Sequence, residues 1–251
     1  WAQREFLLRN LQTMMGAAWP IPSFPTPWWP EAEPFLKGLD NQGRPIKKEL
    51  FAGAIQVGKT FHTALAVFSY HPWAKLAWWV APRFEDAQYG MKYLAAWFQA
   101  EGNLAHINMP PGGGPWKLIT RDGLEIKSQS AQNPENLAGE SPDIVVIDEA
   151  GRCSYDAYLI CRSRVVPKGG RLILCGTFEG ADSWYAHLYK RWMAPNHDGA
   201  QAYRLPAWVN RVYYPGGRQD PKILDFEREF ATSRPDVWKA RFVGEPANPP
   251  G

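Results

Sequence analysis

The residues best suited to chemistry in this sequence fall at two places. Gly53-Ala54-Ile55-Gln56-Val57-Gly58-Lys59-Thr60 fits the pattern G-x-x-x-x-G-K-[ST]. Such a segment binds polyphosphate when backbone N–H groups wrap the anion, the lysine reaches the terminal phosphates and the hydroxyl ligates Mg²⁺. Gly53 and Gly58 give the backbone the freedom to turn its N–H groups inward. Lys59 and Thr60 then open a helix whose positive N-terminal end faces the same anion. The bland reading is a plain strand-to-helix turn. The flanks favour the phosphate reading: an apolar run ends at Gly53, and Ala64, Leu65, Val67 and Phe68 fall near helical spacing.

Asp148 and Glu149 directly follow Ile144-Val-Val-Ile147, a β-branched run that reads as a buried strand. In a parallel sheet, strand C-termini line the ligand crevice, so these carboxylates and the glycine loop can meet. Successive strand residues alternate sides, so the two acids can have different tasks. Asp148 is the candidate to hold Mg²⁺, directly or through water. Glu149 is the candidate to orient and deprotonate an attacking water. Thr177 leaves another apolar run in "LCGTFEG" (174–180) and could bond that water or sense the terminal phosphate. The polar loop "SAQNPENLAGESP" (130–142) is either a solvated connector or a contact for a neighbouring subunit or DNA.

These residues need a scaffold, and the pattern supplies one. Strands are expected at 75–82, 142–150, 169–177 and 200–208, and a hairpin at 114–130 turns at Asp122-Gly123. Helices are expected at 84–102 and at 182–193 with Asp182 as cap, then in "DPKILDFEREF" and "RPDVWKARF". Strands separated by helices imply a mainly parallel sheet with helices on both faces. Ahead of them lie a short helical stretch, "REFLLRNLQTMM", and the proline-rich "WPIPSFPTPWWPEAEP". The latter reads as an extended lid segment or as a linker. The expected organisation is an N-terminal extension (1–45), a nucleotide-binding core (46–206), a closing helical lid (207–245) and a linker (246–251).

Composition bounds the alternatives. At 251 residues the chain can form one large α/β domain, and 45% hydrophobic content excludes a disordered chain. No apolar run reaches membrane-spanning length, so no membrane partner is expected. Cys153, Cys161 and Cys175 lack zinc spacing, and an odd number of cysteines fits a reducing compartment. A net charge of +3 is compatible with nucleic acid without arguing for it.

Together, "GAIQVGKT", "WWVAPRFEDAQ", "SAQNPENLAG", "IVVIDEAG" and "LILCGTFEG" resemble the ATPase domain of tailed-bacteriophage large terminase subunits, across roughly residues 45–245. "NPENLAG" followed by "GTFEG" makes the resemblance more specific than the phosphate loop and acidic pair alone. It implies a P-loop NTPase of the ASCE type that uses ATP and Mg²⁺. It implies Lys59 and Thr60 on phosphate and Mg²⁺, Asp148 on Mg²⁺, Glu149 as base and Thr177 as the coupling-motif residue. It further implies a DNA-packaging motor in the host cytoplasm, not in the mature virion. The implied partners are double-stranded DNA held by its phosphates, a portal protein, a small terminase subunit and copies of itself in a ring of five.

Two departures stand out. Many terminases carry an arginine in the phosphate loop where Ile55 or Gln56 stands here, and another where Ala138 stands. A finger arginine contributes several orders of magnitude in rate. Arg152, Arg162 and Arg164 are candidates to replace it, with Arg171 and Arg121 behind them. Asp220, Asp225, Glu227 and Glu229 alternate with Lys222 and Arg228 and read as a solvated helix face, so no nuclease activity is expected of this segment. Rival readings are a helicase-like motor and a nucleotide-binding assembly module with negligible turnover.

Overall fold

In the computed structural model, which describes residues 35–36, 45–110, 114–194 and 199–249, the strand–helix alternation resolves into a mixed eight-stranded sheet. The expected N-terminal helix, the proline-rich segment and residues 250–251 lie outside the described residues. The elements run β1 (Lys48–Gly53), α1 (Lys59–Tyr70), β2 (Leu76–Ala81), α2 (Phe84–Ala100), β3 (Leu104–Asn108), β4 (Lys117–Thr120) and β5 (Glu125–Ser130). Then come β6 (Ile144–Ile147), α3 (Tyr155–Val165), β7 (Arg171–Gly176), α4 (Trp184–Met193), β8 (Ala200–Leu205) and α5 (Pro221–Ser233). A helical turn, Pro235–Val237, leads into a π-helix, Trp238–Val243.

The strand order is β3-β4-β5-β2-β6-β7-β1-β8. β4 pairs antiparallel with both β3 and β5, and every pairing from β5 across to β8 is parallel. Side chains alternate between two cores, as the pleat requires of strands covered on both faces. Phe51, Trp79, Val146 and Ile173 join Phe61, Leu65, Phe68, Met91, Leu94 and Phe98 from α1 and α2. Leu50, Trp78, Val145 and Leu172 join Tyr158, Cys161, Tyr185 and Tyr189 from α3 and α4. Phe35 stacks on Phe51 with centroids 4.4 Å apart, which ties the end of the N-terminal extension to β1.

The structure corrects several expectations. β3 is absent from the expected strands: its side chains are half-buried to exposed, so no apolar alternation marks it. Ser183, not Asp182, caps α4, because its hydroxyl oxygen accepts the Ala186 N–H. Asp220 is not on a solvated face. It is buried, caps α5 by accepting the Lys222 N–H and also accepts from Gly216 N–H. Arg171 lies at the start of β7, the end opposite to Thr177. There it pairs with the fully buried Glu49, Nε to Oε2 at 2.8 Å, and stacks 3.6 Å over the Tyr70 ring. A guanidinium so engaged, at the wrong sheet edge, is a structural cation. Arg121 sits in the β4–β5 turn at that same edge, donating to the Gly102 carbonyl. Among the described residues no helix is long and apolar enough to cross a membrane.

Candidate phosphate and metal site

β1, β6, β7 and β8 run parallel, so Gly53, Ile147, Gly176 and Leu205 all end at one sheet edge. β7 lies between β1 and β6. The loop 54–58, the acidic pair and Thr177 are therefore brought together by topology, as strand C-termini in an open parallel sheet are.

The loop is shaped at two left-handed positions. Gly58 has φ +79, and the exposed Gln56 has φ +58, a conformation that costs a non-glycine residue roughly 1–2 kcal/mol. Three distant groups hold the turn. Ala54 N–H donates to the Leu205 carbonyl at 2.9 Å, and Ile55 N–H to the Arg241 carbonyl at 2.9 Å. Asn210 Nδ2 donates to the Gln56 carbonyl at 2.6 Å. The His62 ring, buried beside Phe51 and Phe61, bonds the Gly58 carbonyl through Nδ1 at 2.8 Å. Burial pushes the His62 imidazole down to about 4, so it is neutral at pH 7 and donates that bond from Nδ1.

Lys59 is buried, and its Nζ donates to the Ala54 carbonyl at 2.9 Å, which keeps the ammonium within the loop. Burial pulls its pKa below the ordinary value. Glu149, Cys175 and Asp148 oppose that shift, and the Arg241 charge adds to it. Thr60 Oγ1 donates to Asp148 Oδ1 at 3.3 Å, so the hydroxyl and the carboxylate expected on Mg²⁺ stand side by side.

Asp148 is 2% exposed. Its oxygens accept from Cys175 Sγ at 3.0 Å, Trp79 Nε1 at 3.3 Å and the Glu149 N–H at 3.0 Å. Burial pushes the carboxyl up to about 6, the Glu149 charge adds to this, and hydrogen bonds from Cys175, the Glu149 N–H and Thr60 pull the other way. A buried acid that is costly to ionise alone, with a hydroxyl beside it, suits a hard divalent cation that would take over the compensation.

Glu149 follows with φ +49, left-handed and half-buried. The kink ends the line of β6 at this residue. Non-glycine residues in such strained conformations cluster at functional sites. Thr177 is buried, and its Oγ1 donates to the Gly53 carbonyl at 3.4 Å. The turn after Glu149 also packs against Thr177: a Cβ on Gly151 would meet the Thr177 carbonyl at 2.4 Å.

The proposed phosphate ligands, acids and coupling threonine thus converge. The proposed finger arginines scatter. Arg152 closes the 3-10 turn just past Glu149, at the site's edge. Arg162 and Arg164 lie in the second half of α3, which runs back towards the start of β7. Ala138 is exposed, while its neighbour Leu137 is buried in the core beneath α3. Sequence reasoning missed the part of Trp79, Cys175, Asn210 and Arg241, which the fold brings to the site as hydrogen-bond partners.

Sequence comparison finds no matching protein-family model and no matching curated protein. The Thermus phage P74-26 large terminase ATPase domain superposes with TM-score 0.57 at 17% identity, over 81% of this chain and 90% of that one. The chain has the fold of a phage large terminase ATPase domain. The HK97 bacteriophage large terminase agrees with TM-score 0.70 at 15% identity, over 95% of this chain and 55% of that one. The large terminase of a thermophilic bacteriophage, solved in complex with ADP, gives TM-score 0.65 at 12% identity, over 88% of this chain and 54% of that one. This chain therefore spans about half the length of the latter two proteins. The shared architecture is α/β, a mixed eight-stranded sheet with helices, and here the glycine loop follows β1.

Proposed function

We propose that this chain is the ATPase domain of a viral DNA-packaging motor, hydrolysing ATP to drive double-stranded DNA into a procapsid. One observation carries the reading: Lys59, Thr60, Asp148, Glu149 and Thr177 share one sheet edge of a terminase-type fold, with Thr60 on Asp148 and Thr177 on Gly53.

The loop N–H groups of residues 57–60 and the Lys59 ammonium bind the phosphates. Thr60 and Asp148 would hold Mg²⁺, which supplies charge neutralisation to the leaving phosphates. Glu149 orients the attacking water and accepts its proton. Thr177, bonded to Gly53 at the phosphate loop, carries the change at the terminal phosphate into β7 and on to the segment 207–245. DNA is gripped through its phosphates without sequence preference, so binding falls steeply with salt. A ring of subunits, in the host cytoplasm with portal and small terminase subunit, lets a neighbour's arginine act in trans; Arg152 is the best placed at the rim.

The absence of arginine at Ile55, Gln56 and Ala138 favours a second reading, a nucleotide-binding assembly module with little turnover. Steady-state hydrolysis by wild type and Glu149→Ala across protein concentration, beside a nucleotide titration, separates the two. Turnover that rises with concentration and collapses in the variant supports the motor. Binding with no turnover above the variant at any concentration supports the module.

A further inference from the structure

We infer that Arg241 reads the terminal phosphate of the bound nucleotide in cis, exchanging its partner Glu179 for that phosphate and so linking nucleotide state to the closing segment. This rests on the phosphate-site reading above.

The backbone of Arg241 is fixed to the phosphate loop, because its carbonyl accepts the Ile55 N–H at 2.9 Å. Its side chain turns towards the loop after β7, where Nη2 bonds Glu179 Oε2 at 3.3 Å. Glu179 lies two residues past Thr177, which itself donates to the Gly53 carbonyl. Glu179 Cγ also sits 3.5 Å from where a Gly151 Cβ would stand, so it overhangs the turn after Glu149. Gly53, Ile55, Arg241, Glu179 and Thr177 thereby close a ring of contacts around the phosphate-binding end of the sheet.

The pair is not a locked one. Arg241 is 40% and Glu179 36% exposed, and exposed ion pairs of this kind hold their partners weakly. A triphosphate offers a guanidinium a stronger, bidentate partner. Arg241 lies in the π-helix Trp238–Val243, a geometry that recurs at functional sites. It supplies a cation in cis where Ile55 and Gln56 supply none.

The test is the affinity of wild type, Arg241→Ala, Arg241→Lys and Glu179→Gln for fluorescent ADP and for a non-hydrolysable ATP analogue with Mg²⁺, with melting temperatures alongside. Arg241→Ala is expected to weaken the triphosphate ~10-fold or more and the diphosphate less than ~2-fold, the size of a lost charge-assisted hydrogen bond. Arg241→Lys restores part of the loss, and Glu179→Gln, which releases the guanidinium, tightens the triphosphate. Equal losses for both nucleotides, or no loss, with wild-type binding intact, overturn the role of Arg241 alone. If wild type binds neither nucleotide, the phosphate-site reading falls, and this inference with it.

Discussion

Thr60 Oγ1 stands 3.3 Å from Asp148 Oδ1, so the first turn of α1 touches the end of β6 across the end of the intervening β7. The contact fixes where a divalent cation would be shared. Thr60→Ala and Asp148→Asn should each weaken nucleotide binding ~10-fold or more in Mg²⁺. With EDTA in place of Mg²⁺, both should bind like wild type. Titrations under the two conditions check this.

Glu149 leaves β6 in a left-handed turn and is half-buried beside the buried Asp148. Glu149→Gln keeps the shape and removes the proposed base. Nucleotide affinity should hold while single-turnover phosphate release slows by ~10²–10⁴, the usual worth of a general base. A parallel loss of affinity would assign the carboxylate to metal binding instead.

The turn after Glu149 has no room for a side chain, because a Cβ on Gly151 would meet the Thr177 carbonyl at 2.4 Å. Gly151→Ala should cost roughly 1–3 kcal/mol, as overpacking does, and should also lower turnover by moving Thr177. Gly139→Ala, where nothing lies within 4 Å, is the matched control and should be near neutral. Denaturant melts of both variants decide.

His62 gives the fold a pH dependence of definite sign. Its folded pKa of about 4 lies below the ordinary 6.5. Above 6.5 both states are neutral and stability is unaffected. As pH falls through the window, the unfolded chain takes up a proton that the folded one refuses, and the His62 contribution to stability drops by roughly 3 kcal/mol by pH 4. His62→Asn keeps a donor for the Gly58 carbonyl but does not titrate. Asp148, pushed up to about 6, acts with the opposite sign in both proteins, so the reading is the difference: the variant should gain stability relative to wild type as pH falls from 7 to 4, which paired denaturant melts across that range check.

Much of this architecture is legible in the sequence because its signals are local. The strand-loop-helix around Gly53–Thr60, the run Ile144–Ile147 before two acids, and the Asp122-Gly123 turn each state their structure within about ten residues. β3 leaves no such trace, since an exposed edge strand has no core to select an apolar pattern. Asp182 and Ser183 are equally plausible caps by type, and only the backbone geometry chooses between them. The groups that tune the site are also silent: Asn210 reaches the Gln56 carbonyl, and Trp79 reaches Asp148, from 154 and 69 residues away. No periodicity encodes a contact at that separation.

The phosphate loop is clasped from far downstream, by Leu205, Asn210 and Arg241. This sets an order of maturation during synthesis. A ribosome-bound chain that has only just emitted Gly53–Thr60 owns the motif but not its shape. If the loop binds nucleotide as proposed, the nascent protein would not hold it firmly until about 180 further residues, up to Arg241, had emerged and docked. The proposed site would thereby stay idle until the segment that clasps it had been made.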